Sequence, residues 1–526
     1  MKHKKWTVRL AALLLTVSLA ISSLSGCSNN NSNSSDTLNF GCINYSDSLD
    51  PMTQVNAAWA VSRYGIGEGL FHFDDEMNPQ PYLCDTYEVN TDKTEWSFHL
   101  RDGIQFSNGK DVTPSAVVAW IERMYEMEAT GQGSTNVSSY LKYESLTADD
   151  TARTVNITTP AGEYTDVPAV LAHPFFVILD IDSGEDFATK PIGTGPYAVD
   201  HIDTGVSVAL NANEYYWQGD VPYAHLNMIF IADSTTKAMS LQNGDIDVAE
   251  NITTSTDLDS LRNDSNFNVS ETTGIRVAYT YLNEAGILEN KDLRRAILMC
   301  VDDDTICKTT IGGMYTPGYS VLPSSLDYGY DQLTDTNPYN VEQAKQILDA
   351  AGIVDSNNDG WRELNGENIN LRYLTYESRN LPEFAEAVTA SLQAIGIQAT
   401  IETTDADTQW NILVSGDYDM INQNWMAAQT GDPYGFLENW VSTSNSNYDG
   451  YSNPKYDALY AQLATTTDES VRKAIIVQLQ QILIDDAVML VHGYYNSNMC
   501  SDSSVSGANI HTPDYYWITT EIRPAG

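Results

Sequence analysis

Basic residues are scarce in this chain: 27 Lys and Arg stand against 71 Asp and Glu in 526 residues, a formal net charge of −44. A surface of that sign repels phosphate backbones, so nucleic acid is excluded as a partner. The acidic shell serves solubility, or else draws a cationic ligand. Cysteines are also few, six in all, with no C-x-x-C spacing, which removes zinc-ribbon and thioredoxin-type sites. Histidines number eight, and none falls between His225 and His492. The common hydrolase and nucleotide signatures are missing. There is no G-x-S-x-G and no H-E-x-x-H, and Gly103 to Lys110 fails as a phosphate-binding loop because five residues separate its glycines and Asp111 follows the lysine. A secreted hydrolase is therefore the weaker reading, and no catalytic residue is assigned. Internal repeats are absent, which argues against a purely structural surface protein.

Only the start of the chain carries a long apolar run. Positive charge at Lys2, Lys4, Lys5 and Arg9 precedes Leu10 to Leu24, and Ser25, Gly26 and Cys27 follow, the shape of a bacterial secretory signal. At 15 residues the run is shorter than the roughly 20 that a permanent membrane span needs. The segment Leu24-Ser25-Gly26-Cys27 resembles the lipobox of bacterial lipoproteins. That resemblance implies cleavage after residue 26 and coupling of the Cys27 thiol to a diacylglycerol. Cleavage removes four basic residues and no acidic one, leaving −48. Residues 27–36 are polar and small, too poor in apolar groups to recover their ordering entropy, and read as a flexible tether. With Cys27 acylated, five cysteines remain, so at least one is unpaired within the chain.

The rest of the chain is too long for one compact core and calls for two or three lobes. Alternation in Thr94 to Leu100 puts Trp96, Phe98 and Leu100 on one side of a strand. A helix follows, with Thr113 as N-cap, Pro114 in its first position and an apolar stripe of Val117, Val118, Ile121 and Met124. Further helices are predicted over Asp292–Met299, Val341–Ala351, Pro382–Ile395 and Ser470–Asp485. Gly352 and Gly396 stand just past two of them, where a left-handed residue ends a helix. Leu371–Tyr376, the helix from Pro382 and Gln398–Glu402 form a β-α-β unit, for which a parallel strand pair is expected. Gly193 and Gly195, ahead of Pro196, read as a tight turn at a lobe boundary. Cys300 and Cys307 read as small core residues.

Four blocks carry a family likeness: Trp96 to Gly109 with Thr113 to Val117 behind it; Pro191 to Tyr197 with Asn211, Asn213, Tyr216 and Trp217; Gly244-Asp245-Ile246-Asp247; and Asn337-Pro338-Tyr339-Asn340 leading into the helix with Ala344, Leu348 and Gly352. In this order they resemble the peptide and nickel class of extracellular solute-binding proteins, the capturing partners of ABC importers. The resemblance implies an α/β fold of the type II periplasmic-binding-protein kind, a two-lobed clamp with an extra subdomain in the first lobe. It divides the chain into a signal peptide over 1–26, a tether over 27–36, a first lobe from 37–74, 190–272 and 490–526, the extra subdomain over 75–189 and a second lobe over 273–489. Permease subunits with a separate ATPase chain are the implied partners. The implied location is outside the cytoplasm, tied to the cell membrane by lipid.

The same likeness points to the ligand-binding residues. Its pocket strand ends here in Asn424 and Trp425, and a loop containing Asp432, Pro433 and Tyr434 follows. Tyr45 and His173 are the candidate contacts from the first lobe. Peptide-binding members usually anchor the ligand amine with an Asp three residues after the Trp, where this chain has Ala428, so simple dipeptides are expected to bind weakly or not at all. Asp432 is the substitute candidate. Nickel-binding members bring a His from the segment matching Ser442 to Asp449, which has none. Peptide or modified peptide ranks first, metal chelate second and oligosaccharide third. No cofactor is required. Asp355, Asn357 and Asp359, with Gly360 and Glu363, match positions of an EF-hand-type loop and are candidates for structural calcium, although the twelfth position is Gly366.

Overall fold

The computed structural model describes residues 36–526, which form one compact unit. The signal peptide, the tether residues 27–35 and the lipidation candidate Cys27 lie outside the described residues. Among the described residues no helix is long and apolar enough to cross a membrane.

An eleven-stranded sheet runs through the molecule. Its strands, in chain order, are β1 (Thr37–Cys42), β2 (Tyr197–Asp203), β3 (Ser207–Ala212), β4 (His225–Phe230), β5 (Val248–Glu250), β6 (Phe267–Leu282), β7 (Tyr315–Pro317), β8 (Asn370–Tyr376), β9 (Gln398–Thr404), β10 (Met420–Met426) and β11 (Met489–Asp502). The spatial order is β9-β8-β10-β6-β11-β5-β1-β4-β3-β2, with β7 paired to β11. By the division that the family resemblance implies, β1 to β5 fall in the first lobe and β7 to β10 in the second. The long strands β6 and β11 pair antiparallel through both lobes. Their register shifts between Thr273 and Val277, a bulge at the lobe junction.

The second lobe is layered as its sequence period demands. Along β6, Val277, Tyr279 and Tyr281 face one core, which is covered by helices Ala406–Ser415, Pro454–Thr465 and Glu469–Asp486. Ala278 and Leu282 face another, under helices Lys291–Cys300 and Leu381–Ala394. β8 and β9 pair parallel across helix Leu381–Ala394, as the β-α-β reading expects. Gly352 and Gly396 end their helices at φ of 76° and 79°. The extra subdomain is a four-stranded sheet over residues 84–158, with helix Pro114–Ala129 packed on it. Thr113 caps that helix, its side chain accepting from the Ala116 amide at 3.2 Å. Trp96, Phe98 and Leu100 are buried together beneath it.

The chain bends at residues 194–196 as expected, but Gly193 and Gly195 are not needed for a left-handed backbone; a Cβ on them would stand 2.1 Å from the Ile66 carbonyl oxygen and 2.3 Å from that of Gly65. Both glycines allow two backbones to touch, and Thr194 between them donates to the buried Glu68 carboxylate at 2.9 Å. Cys42, Cys84, Cys300, Cys307 and Cys500 are all buried and free, and burial pushes the Cys42 thiol well up, so these sulfurs act as small apolar groups.

Candidate functional site

Three arginines from distant parts of the chain meet at the lobe junction. Arg63 ends helix Val55–Arg63 of the first lobe. Its Nη2 lies 3.0 Å from Asp514 Oδ2, its Nε donates to the Asp514 carbonyl at 2.9 Å, and its guanidinium lies over Tyr45 at 4.5 Å and Trp517 at 4.6 Å. Arg276 stands in the β6 bulge opposite Met426 of β10. Arg379 lies in the loop between β8 and the following helix, at φ of 43°, and its guanidinium is 5.7 Å from the Tyr495 ring. Arg276 and Arg379 fall within electrostatic reach of one another and of Arg63, Asp514 and Tyr45.

Their charge states follow from their partners. Burial works against the charge on Arg63, yet Asp514 and its other neighbours hold its pKa above the ordinary value. The Arg276 side chain has no hydrogen bond or ion pair among the described residues. Burial, reinforced by Arg379, pushes its pKa down to about 10, which still leaves it charged at neutral pH. Arg379 makes no ion pair among the described residues, and its one side-chain hydrogen bond is a long one, 3.5 Å, to the neighbouring Ser378 hydroxyl. Arg276 and Arg379 are only partly buried as residues, while protein encloses their guanidiniums. The nearby acids are engaged: Glu250 Oε1 accepts from Lys237 Nζ and the Ile43 amide, each at 3.2 Å. The junction is therefore basic within an acidic protein.

Hydrogen bonds also cross the junction. Gln429, on the loop after β10, accepts from Tyr140 of the subdomain at 3.2 Å through its side chain and from Tyr515 of the first lobe at 2.7 Å through its carbonyl. Tyr164 donates from its backbone to Ala464 at 2.8 Å, and Lys93 Nζ to the Thr467 carbonyl at 3.1 Å. Ile275, Met426 and Ala428 pack into the core of the first lobe. These contacts join the second lobe to the first lobe and its subdomain.

The residues singled out in the sequence divide into two groups. Tyr45, Asn424 and His173 stand at the junction. Tyr45 packs on Arg63 and edge-on to Trp517 at 5.4 Å. Asn424 donates to the Tyr315 hydroxyl at 2.8 Å, and its Oδ1 is buried without a partner. His173 sits beside Gln429 among Trp59, Tyr140, Phe175 and Tyr515; burial pushes its pKa down to about 3, so the ring is neutral. Trp425, Asp432 and Tyr434 are placed otherwise. Trp425 points to the opposite face of β10 from Asn424, packing with Trp410, Tyr281, Phe436 and Tyr448. Asp432 is ion-paired with Arg472, and Tyr434 stacks on Tyr460 at 4.6 Å. Arg63, Arg276, Arg379 and Asp514 were not singled out, because no local pattern marks them; only the fold collects them.

Two other sites lie off the junction. Asp355, Asn357 and Asp359 fold into a tight polar loop, with Asp355 Oδ2 accepting from the Gly360 amide at 2.9 Å and Asn357 Oδ1 from the Asp359 amide at 2.8 Å. A cavity of about 350 Å³ in the second lobe is lined by residues 298–339 and 483–491, Asp303 and Tyr319 among them. It takes no side from the first lobe.

Comparison with known proteins places this geometry. A model of the bacterial extracellular solute-binding proteins, family 5 Middle, matches residues 78–448. The probable D,D-dipeptide-binding periplasmic protein of Escherichia coli is 26% identical over 484 residues, spanning 87% of this chain and 88% of that protein. The nickel-binding protein of Staphylococcus aureus is 24% identical over 510 residues, spanning 96% and 97%. Among solved structures, NikA from Brucella suis in complex with Fe(III)-EDTA superposes with a TM-score of 0.83 at 21% identity, covering 93% of this chain and all of that one. The fold is that of a type II periplasmic binding protein, two lobes with an added subdomain. The chain belongs to family 5 of the bacterial extracellular solute-binding proteins.

Proposed function

We propose that this protein is the capturing component of an ABC importer, binding a small solute between its lobes and handing it to permease subunits driven by a separate ATPase chain. The observation that carries the reading is the arginine cluster, built from both lobes, in which the side chains of Arg276 and Arg379 have no ion-pair partner among the described residues. Lobes that share β6 and β11 across a bulge can open and close about that crossing, and a permease that prefers the closed form then couples capture to import. The chain works outside the cytoplasm, anchored by lipid on Cys27. It binds without chemical turnover.

Peptide or modified peptide is the first solute class, supported by the Escherichia coli relative's name. Tyr45, His173 and Asn424 join the arginines as contacts, while Trp425, Asp432 and Tyr434 frame the second-lobe wall. A metal chelate is the alternative, supported by the Staphylococcus aureus relative named for nickel and by the Fe(III)-EDTA complex of the Brucella suis protein. Among the described residues no group of three or more His, Cys, Asp or Glu is arranged to hold a metal ion, so a metal would arrive inside its chelator. Mass spectrometry of what co-purifies with the protein, followed by thermal melts with that compound, tests the proposal. A raised midpoint with the compound recovered unchanged is expected; conversion of the compound would make the protein an enzyme instead.

A further inference from the structure

We infer that the captured solute is a small dianion, its two acidic groups held by Arg276 and Arg379. This rests on the proposed capture at the lobe junction and adds the charge of what is captured. Ion pairs at the junction leave a definite remainder. Arg63 is matched by Asp514 at 3.0 Å and Lys237 by Glu250 at 3.2 Å. Arg276 and Arg379 form no ion pair among the described residues, and Asp514, already paired with Arg63, acts on them only from longer range. An enclosed guanidinium cannot relieve itself by losing its proton, and two unmatched ones in mutual reach repel.

The neighbouring phenols do not supply the missing charge. Burial pushes the Tyr495 hydroxyl up to about 12 and those of Tyr45 and Tyr315 well above the ordinary value, so all three stay neutral. Nor is the junction suited to an ammonium. Asp514 already accepts from Arg63 and, at 2.7 Å, from Trp517 Nε1. Glu250 Oε2 lacks a hydrogen-bond partner, but the charge of that carboxylate is matched by Lys237. A guanidinium presents a planar fork that takes a carboxylate or phosphonate through two parallel hydrogen bonds. Two such forks, local to the cleft, also overcome the repulsion an anion meets from the acidic outer surface, which salt screens beyond about 8 Å.

The test is calorimetric titration of the mature protein with N-acetyl-alanyl-aspartate, nickel–EDTA, N-acetyl-alanyl-alanine amide and alanyl-lysine. Binding of one of the two anionic probes, and of neither of the others, is expected; which one binds separates a peptide source of the acidic groups from a chelate. Arg276→Gln and Arg379→Gln should each weaken that binding roughly 10- to 100-fold. Each variant should also melt no lower than the parent when empty, because it removes an unmatched charge, whereas arginines that merely support the fold would lower the melt. Binding of the neutral or cationic probe, undiminished in both variants, overturns the dianion and leaves capture standing. If no probe binds and nothing co-purifies, both the dianion and the capture proposal fall.

Discussion

Arg63 and Asp514 form a doubly bonded ion pair whose side chains are 5% and 12% exposed, and the pair fixes the C-terminal segment to helix Val55–Arg63. Asp514 holds a left-handed backbone at φ of 54° to make it. Removing one partner of a buried pair strands the other charge, which costs about 3–5 kcal/mol. Asp514→Ala is therefore expected to lower the unfolding free energy by about 3 kcal/mol in a urea titration. A loss below about 1 kcal/mol, the level of a surface pair, would show that water reaches Arg63 freely.

Gly193 and Gly195 make a sharper prediction because the obstacle is backbone. A methyl group at either position would meet a carbonyl oxygen of Ile66 or Gly65 well inside contact distance. Neither chain can yield without breaking the hydrogen bonds of Gly195 and Tyr197 to Ile66 and Gly65. Gly193→Ala is expected to cost on the order of 3 kcal/mol or to abolish soluble expression. Gly103→Ala is the control. That glycine has φ of 75° and open space around it, so the cost should be limited to about 1 kcal/mol of backbone strain.

Elements set by neighbouring residues were legible. The strand with Trp96, Phe98 and Leu100, the cap at Thr113 and the parallel pair around helix Leu381–Ala394 all follow from short periods and end signals. The glycine pair shows where local reading stops. Gly193-Thr194-Gly195 looks like a turn in sequence, but its need for glycine comes from residues 65–67, far away in the chain. The candidate site was legible only where a likeness supplied it. Asn424 and Trp425 adjoin in sequence, yet a strand sends them to opposite faces, and only Asn424 reaches the junction. Arg276 and Arg379 carry no motif, and their significance lies in the carboxylates they do not meet.

Buried carboxyls give the protein an unusual pH profile. Burial raises Glu68 to about 7, with hydrogen bonds from Trp217, Thr194 and Tyr216 opposing it, and burial likewise raises Asp449 to about 7. Between pH 4.5 and 7 the folded state thus holds protons that the unfolded state has lost. Stability contributed by these groups is complete below their unfolded values and is lost as pH rises through 7. Unfolding free energy is expected to fall from pH 5 to pH 7.5, by at most about 1.4 kcal/mol per pH unit for each group. Glu68→Gln should flatten part of that slope. A profile that rises over this window would mean that both carboxyls are ionised in the folded protein at pH 5.

The Asp355 loop makes the last prediction. Asp355 Oδ1 and Oδ2 accept from the amides of Asp359 and Gly360 at 3.1 and 2.9 Å, which curls the loop and gathers the oxygens of Asp355, Asn357 and Asp359 on its polar side. Asp359 Oδ2 is also approached by the side-chain amides of Asn357 at 3.1 Å and Asn368 at 2.8 Å, donors that compete with a cation. Gly366 stands where a bidentate glutamate would complete the cage. Calcium binding here is therefore expected to be weak, with a Kd of about 10⁻⁴ to 10⁻³ M, in the range of extracellular modules. At 5 mM calcium, linkage then raises the unfolding free energy by roughly 1–2 kcal/mol. Melts should move up with calcium, return with EGTA and lose the response in Asp355→Asn. A midpoint unmoved by calcium and chelator alike would remove these three residues from metal chemistry and leave the loop as a turn held by its own amides.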